Sequence, residues 1–142
     1  MDALIVYETG MTIPQIVETC GWTRFREIES QVTQKVARLR GIINATGGGV
    51  VLNPENIGAL RATGIIFWLA ISVDNILHRI GEDANRPSLT GRASRRDDMV
   101  ATLEEREALY RQAAHYIIDT NGKSQEHIAE EIVRILQEKE KS

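Results

Sequence analysis

Short apolar runs that alternate with helical segments are the feature of this sequence that most constrains its fold. The runs occupy residues 42–46, 65–71 and 115–119, and they have the length of buried strands. Helical segments are predicted at 13–20, 22–40, 54–63, 73–80, 95–114 and from 124 onwards. Strands that alternate with helices indicate an α/β domain with a parallel sheet. We therefore predict a three-layer fold, with helices on both faces of the sheet, in a single domain at 1–142.

The predicted helix starts rest on capping residues. Thr12 and Gln15 have the spacing of a capping box. Asn53 is a favourable N-cap followed by a proline at the first helical position, and Ser124 precedes the last helix. Residues 81–94 are polar and rich in turn formers, so they are predicted to form a loop.

The composition excludes several classes of protein. With 17 basic and 20 acidic residues the net charge is −3, which argues against nucleic acid as a partner. The longest strongly apolar run, residues 65–73, has about half the length that a membrane span needs, so no membrane partner is expected. Cys20 is the only cysteine, which excludes an internal disulfide and predicts a cytoplasmic location.

Arg106 lies on the apolar side of its predicted helix. At 100° per residue it falls in the same stripe as Met99, Leu103 and Tyr110. An arginine on an inward face needs a partner, because burying an unpaired charge is costly. A structural ion pair and an anionic ligand explain this position equally well.

Arg26 and Glu29 form a second candidate pair. They are one helical turn apart, so their side chains can interact, and Glu29 lies near the apolar Trp22 and Phe25. An ordinary surface pair is the simpler interpretation when these residues are considered alone.

The three consecutive glycines Gly47, Gly48 and Gly49 mark a place where the chain turns or something approaches it closely. They do not form a Walker A loop, since no lysine follows them. The Gly-Lys-Ser at 122–124 lacks the first glycine of that motif and is predicted to be a turn and a helix cap. The three histidines have no metal-ligand spacing, so no metal site is predicted among these residues.

Four stretches together resemble the shikimate kinase family. They are GMTIPQIVETCGWTRFREIE, ATGGGVVLNPENI, NRPSLTG and REALYRQAAHYIIDT, in the order and at nearly the spacing of the family. The resemblance implies a nucleoside-monophosphate-kinase-like fold. It also implies transfer of a phosphoryl group from ATP, with Mg²⁺, to the 3-hydroxyl of shikimate, a step of aromatic amino-acid (chorismate) biosynthesis.

The resemblance assigns the substrate contacts residue by residue. Arg26 and Arg106 correspond to the arginines that hold the shikimate carboxylate, for which a bidentate guanidinium is well suited. Asp2 corresponds to the acid that contacts the ring hydroxyls and helps to activate the accepting one. Gly48 would offer its backbone N–H to a substrate hydroxyl.

The remaining assignments are supporting ones. Gly47 and Gly49 would shape the turn, and Glu29 would fix Arg26. Arg86, in a lid loop at about 81–95, corresponds to the arginine that closes over ATP and stabilises charge on the transferred group. Lys123 lies near the position at which relatives often carry an arginine beside the adenine.

The sequence departs from the family in one large respect. Relatives begin with a strand, a Walker A loop, a helix and a second strand, and these 142 residues contain no such βαβ unit of about 30 residues. We expect an incomplete sheet that lacks the family's first two strands and the helix after its phosphate loop. In the family the first strand lies between the counterparts of 42–46 and 65–71, so both edges would be exposed here. The family is monomeric, and these edges would offer a route to self-association.

Three interpretations of function remain open. The chain is a shikimate kinase whose true N-terminus is missing from this sequence, and which is inactive in isolation; an upstream reading frame that encodes a Walker A motif would support this. Alternatively, it is a non-catalytic relative that retains only the shikimate-binding half-site. Thirdly, it is a kinase for another small hydroxy acid, because Arg26 and Arg106 demand a carboxylate without specifying the ring.

Overall fold

The computed structural model describes residues 1–80 and 95–141. Its six α-helices are α1 (Asp2–Thr9), α2 (Ile13–Val36), α3 (Pro54–Thr63), α4 (Val73–Ile80), α5 (Arg95–Ala113) and α6 (Gln125–Glu140). Its strands are β1 (Phe67–Ala70) and β2 (Tyr116–Asp119), and a 3₁₀ turn covers Gly48–Leu52. None of the described helices is long and apolar enough to span a bilayer.

Helix α1 has no counterpart among the predicted helices. It ends at Gly10, which has a left-handed φ of 70° and donates its backbone N–H to the carbonyl of Val6. The side chain of Ile5 is completely buried in a cluster with Ile16 and Val32 of α2. Packing on α2 therefore stabilises α1.

The two helices predicted at 13–20 and 22–40 form one kinked helix, α2. The kink is at Gly21, whose φ of 83° and ψ of 168° are not helical. The predicted capping box is confirmed, because Thr12 Oγ1 accepts from the N–H of Gln15 and Gln15 Oε1 accepts from the N–H of Thr12. The helix ends at Val36, four residues earlier than the predicted end at Arg40.

The strand predicted at 42–46 is wrong. Residues 42–47 form no regular secondary structure, and Ile42 and Ile43 are 49% and 100% exposed. A strand needs a neighbour to accept its backbone hydrogen bonds, and the described residues provide none there. The carbonyl of Ala45 instead accepts a hydrogen bond from the N-terminal ammonium of Met1 at 2.8 Å.

The sheet of the described residues consists of β1 and β2. They are parallel, with Phe67 opposite Tyr116 and Ala70 opposite Asp119. The predicted α/β class and parallel pairing are confirmed, but the sheet is small and helices predominate, in contrast to the predicted three-layer sheet.

His115 connects the two strands at their start. Its Nδ1 accepts the backbone N–H of Ile66 at 2.9 Å, and its own backbone N–H donates to the carbonyl of Ile66. Burial lowers the pKa of His115 below its usual value, and the charges of Arg61 and Lys139 lower the pKa further. The imidazole therefore acts here as a neutral acceptor.

Candidate functional site

The glycine run, Gly47–Gly49, opens the 3₁₀ turn without needing a left-handed backbone. Gly47 is extended, with φ −72° and ψ 158°. The described glycines with positive φ are others, namely Gly10, Gly21, Gly41 and Gly122. Backbone conformation therefore does not require glycine at these positions. The neighbouring side chains leave little room for a Cβ, as the contacts of each glycine show.

Gly49 lies directly beneath the guanidinium of Arg26. A Cβ at Gly49 would overlap Nη1, Cζ and Nη2 of that arginine. Arg26 Nη1 is 2.9 Å from Glu29 Oε1, and the Glu29 side chain is 3% exposed. The guanidinium also lies over the rings of Trp22 and Phe25, at 5.3 and 5.2 Å from the ring centroids. The Arg26–Glu29 pair is thus built into the site, unlike an ordinary surface pair.

Gly47 faces the two predicted acids. A Cβ placed on it would lie 3.3 Å from Glu29 Oε2 and 3.7 Å from Asp2 Oδ1. Helix α1 brings Asp2 to this position, and the bond from the Met1 ammonium to Ala45 fixes the start of that helix beside the glycine run. Asp2 and Glu29 therefore present carboxylates on the same side of the backbone turn.

Gly48 faces helix α5. A Cβ there would lie 3.6 Å from Arg106 Nη1 and 2.9 Å from Tyr110 Oη. Arg106 is 7% exposed, and its Nε has no hydrogen-bond partner in the part of the chain that the structure describes. A buried guanidinium with an unused donor is costly, which makes this group the strongest sign of an anionic ligand.

Two further residues hold the turn, and their roles were missed in the sequence. Tyr110 Oη donates to the carbonyl of Gly48 at 2.9 Å. Asn56 is 1% exposed and donates from Nδ2 to the carbonyl of Val50 at 3.2 Å. The sequence signal for Tyr110 is its spacing of four from Arg106, which places both side chains on one helix face. The signal for Asn56 is its position in the first turn of α3, immediately after the 3₁₀ segment.

An open cleft adjoins this site between α2 and α3. Its volume is about 570 Å³. Its lining residues include Arg26, Glu29, Gly49, Leu52, Asn53 and Asn56. Arg26 therefore both contacts Gly49 through its guanidinium and lines this cleft.

Of the two residues predicted to contact ATP, the structure describes Lys123. Arg86 and almost all of the predicted lid loop fall outside the described residues. Lys123 lies between β2 and α6, where its Nζ is 2.7 Å from Glu131 Oε1. That hydrogen bond from Lys123 lowers the pKa of the Glu131 carboxyl. The described residues contain no group of three His, Cys, Asp or Glu side chains that could hold a metal ion.

The fold and the site together define an α/β protein in which Asp2, Arg26, Glu29 and Arg106 surround the glycine run. The family model for shikimate kinase matches residues 1–137. The chain belongs to the shikimate kinase family, whose members are transferases of aromatic amino-acid biosynthesis and use ATP and Mg²⁺.

Individual relatives support this assignment. The chain is 37% identical over 134 residues to a shikimate kinase from Caldicellulosiruptor bescii. This alignment covers 94% of the chain and 77% of the relative. It is 40% identical over 133 residues to one from Caldanaerobacter subterraneus, with the same coverage. A solved shikimate kinase from Acinetobacter baumannii, in complex with shikimate, superimposes with a TM-score of 0.92 at 33% identity, covering 97% of this chain and 76% of that one.

Proposed function

We propose that this chain binds shikimate at the glycine run and presents the 3-hydroxyl as the acceptor of a phosphoryl group. The observation that carries this proposal is the buried Arg106, whose Nε has no partner among the described residues and whose Nη1 lies beside Gly48. A carboxylate could accept from such a guanidinium in a bidentate manner. The relative from Acinetobacter baumannii, solved with shikimate, supports the choice of acid.

Each side chain of the cluster then has a chemical task. Arg106 and Arg26 hold the carboxylate, and Glu29 keeps Arg26 in a fixed orientation through the 2.9 Å contact. Asp2 accepts hydrogen bonds from the ring hydroxyls and takes up the proton of the attacking one. The backbone N–H of Gly48 donates to a ring hydroxyl. Fixing the acceptor in this way lowers the entropic cost of the transfer.

The residues that surround the glycine run do not provide a binding site for the nucleotide. The 142-residue sequence contains no G-x-x-x-x-G-K-[ST] motif, and the described residues do not fit a Mg²⁺ site. We therefore derive no step through ATP. Because positioning and neutralising the phosphates accounts for most of the catalysis in kinases, we expect these 142 residues alone to bind shikimate without phosphorylating it. Arg86 and Lys123 remain proposed contacts of ATP.

The free edge of the sheet supports the expectation of an incomplete sheet. Within the described residues β1 pairs with β2 alone, and Leu69 and Ile117 are nearly half exposed. An unpaired strand edge can add a strand from a second chain, so we propose that the isolated chain self-associates at high concentration. Sedimentation at increasing protein concentration tests this.

The lone Cys20 supports a reducing compartment such as the cytoplasm.

Calorimetric titration with shikimate tests the proposed binding. We expect the wild-type chain to bind shikimate and the Arg106→Ala variant to bind at least about 30-fold more weakly, since about 2 kcal/mol of charge-assisted hydrogen bonding is lost. The matched control is Arg134→Ala, at an exposed position of α6, which should bind like the wild type.

The ligand can be varied in the same experiment. Shikimate methyl ester, which lacks the carboxylate charge, should bind weakly to the wild type and should no longer distinguish it from Arg106→Ala. Equal affinity of the wild type for acid and ester would contradict the proposal. A sugar acid that binds more tightly than shikimate would favour a different hydroxy acid as substrate.

A further inference from the structure

Tyr110 has no role among the proposed substrate contacts, although it lies beside them. It lies one turn beyond Arg106 on α5, and its hydroxyl donates to the carbonyl of Gly48 at 2.9 Å. Gly48 is the residue whose N–H the proposed function assigns to a ring hydroxyl. The tyrosine therefore contacts the residue that would touch the substrate.

The phenol ring of Tyr110 is itself held in place by the sheet. Its centroid is 5.6 Å from that of Trp68 in β1, with the planes tilted by 34°. The guanidinium of Arg111 lies 5.3 Å from the centroid of the Trp68 ring. Aromatic packing of this kind limits the rotation of the ring, so the hydroxyl reaches Gly48 from a fixed direction.

The absence of a side chain at residue 48 is explained by the same contact. A Cβ there would lie 2.9 Å from Tyr110 Oη, a separation that side-chain carbons do not tolerate, and 3.6 Å from Arg106 Nη1. Residue 48 is thus bare on the side that faces α5. A hydroxyl and a guanidinium from one face of that helix share this space.

We propose that Tyr110 is a positioning residue for the acceptor site, an inference that rests on the proposed function. Its hydroxyl holds the Gly48 carbonyl. Holding this carbonyl fixes the peptide plane that follows the Gly48 Cα, and it thereby limits the backbone rotation of the turn next to the Gly48 N–H. The same bond sets the separation between α5 and the 3₁₀ turn, and with it the distance from Arg106 to the glycine run. Tyr110 itself makes no contact with the substrate.

The test is the Tyr110→Phe variant, which removes the hydroxyl and keeps the ring on Trp68. We expect its affinity for shikimate to fall about 5-fold to 10-fold, because the glycine run and Arg106 are no longer held in the binding geometry before the ligand arrives. Its thermal midpoint should change by no more than about 3 °C. The matched control is Tyr7→Phe, at a residue that is 85% exposed, and this variant should bind like the wild type.

A spectroscopic measurement separates positioning from general stability. The carbonyl ¹³C resonance of Gly48 should shift in Tyr110→Phe, with or without shikimate, because that oxygen loses its donor. An unchanged Gly48 resonance, or an unchanged affinity in a chain whose wild type binds shikimate, would overturn the inference. If the wild type itself fails to bind shikimate, the proposed function falls, and with it the assignment of Tyr110 to a shikimate site.

Discussion

Around the glycine run, charged and aromatic side chains from three helices contact a bare backbone, whereas in the sheet two short strands are held largely by their own backbone hydrogen bonds. The first region buries Glu29 and Arg106 almost completely. In the second region only Ile118 of the eight strand residues is buried, and the outer edge of β1 has no strand partner among the described residues.

The two regions differ in how deeply they bury charged side chains. Burying charges is unfavourable unless each is paired or awaits a ligand, which is why we propose a ligand for the cluster at the glycine run. Beyond β2, the pair between Lys123 and Glu131 of α6 lies nearer the surface, with side chains that are 27% and 21% exposed. Substitutions in the first region should therefore lower shikimate affinity, whereas substitutions of strand residues other than Trp68, which packs on Tyr110, should affect folding alone.

The largest effect is expected for Gly49→Ala. The new methyl group would overlap the Arg26 guanidinium and displace it from Glu29. We expect shikimate affinity to fall at least about 100-fold, or about 2.7 kcal/mol, and stability to fall by about 1–3 kcal/mol from overpacking. Titration calorimetry and urea unfolding measure the two effects.

Gly58→Ala is the control for that substitution. Gly58 lies in α3, and a Cβ there meets no atom within 4 Å. Alanine should stabilise that helix by about 0.5–1 kcal/mol and leave binding unchanged. If Gly49→Ala behaved like Gly58→Ala, Arg26 would not be held against the glycine run.

A smaller effect is expected for Glu29→Ala, and α2 provides a matched pair for it. Arg26–Glu29 and Arg24–Glu27 both have three-residue spacing and contacts of 2.9 and 3.0 Å, but Glu29 is buried whereas the Glu27 side chain is 58% exposed. Removing Glu29 should lower the free energy of unfolding by about 2 kcal/mol, because a partly buried guanidinium is left unpaired. Glu27→Ala should change stability by less than about 0.5 kcal/mol. Equal losses in urea unfolding would remove the distinction between the two pairs.

The smallest effect is expected in the sheet, as a dependence of stability on pH at His115. Burial, and then the charges of Arg61 and Lys139, lower its pKa in the folded state. The unfolded chain therefore binds the proton more readily. The contribution of His115 to stability is complete above the unfolded pKa of about 6.5 and is lost progressively as the pH falls below it.

His115→Asn should remove this part of the decline, while its amide oxygen can still accept from Ile66. Unfolding free energies at pH 7.5 and 5.5 measure the difference, with His78→Asn, at an exposed position of α4, as the control. The His115→Asn substitution should leave the affinity for shikimate unchanged. An unaltered decline in His115→Asn would show that other groups are responsible.

The helices were predictable because local signals specify them. The caps at Thr12, Asn53 and Ser124 are present in the structure, each with a side-chain oxygen that accepts from the first turn. Helix α1 was missed because the sequence DALIVYET has apolar residues without helical periodicity, and its stability comes from packing against α2. The strand at 42–46 was wrong because an apolar run cannot reveal whether a neighbouring strand is present.

The site was predictable only in part. The resemblance selected Asp2, Arg26, Glu29, the glycine run and Arg106, and the structure brings these residues together, although their roles stay predictions. The reason for the bare glycines was not accessible, because it depends on Arg26 and Tyr110 reaching the backbone from helices far away in sequence. Close approach of this kind is a tertiary property, and spacing along the chain does not encode it.

The most direct test of the central claim is the Nε–H resonance of Arg106 during a titration with shikimate. If the buried guanidinium receives the carboxylate, this resonance shifts and saturates together with the amide resonances of Gly47, Gly48 and Gly49. The Nε–H of the exposed Arg134 should not move. Saturable binding of shikimate that leaves the Arg106 resonance unchanged would contradict the account.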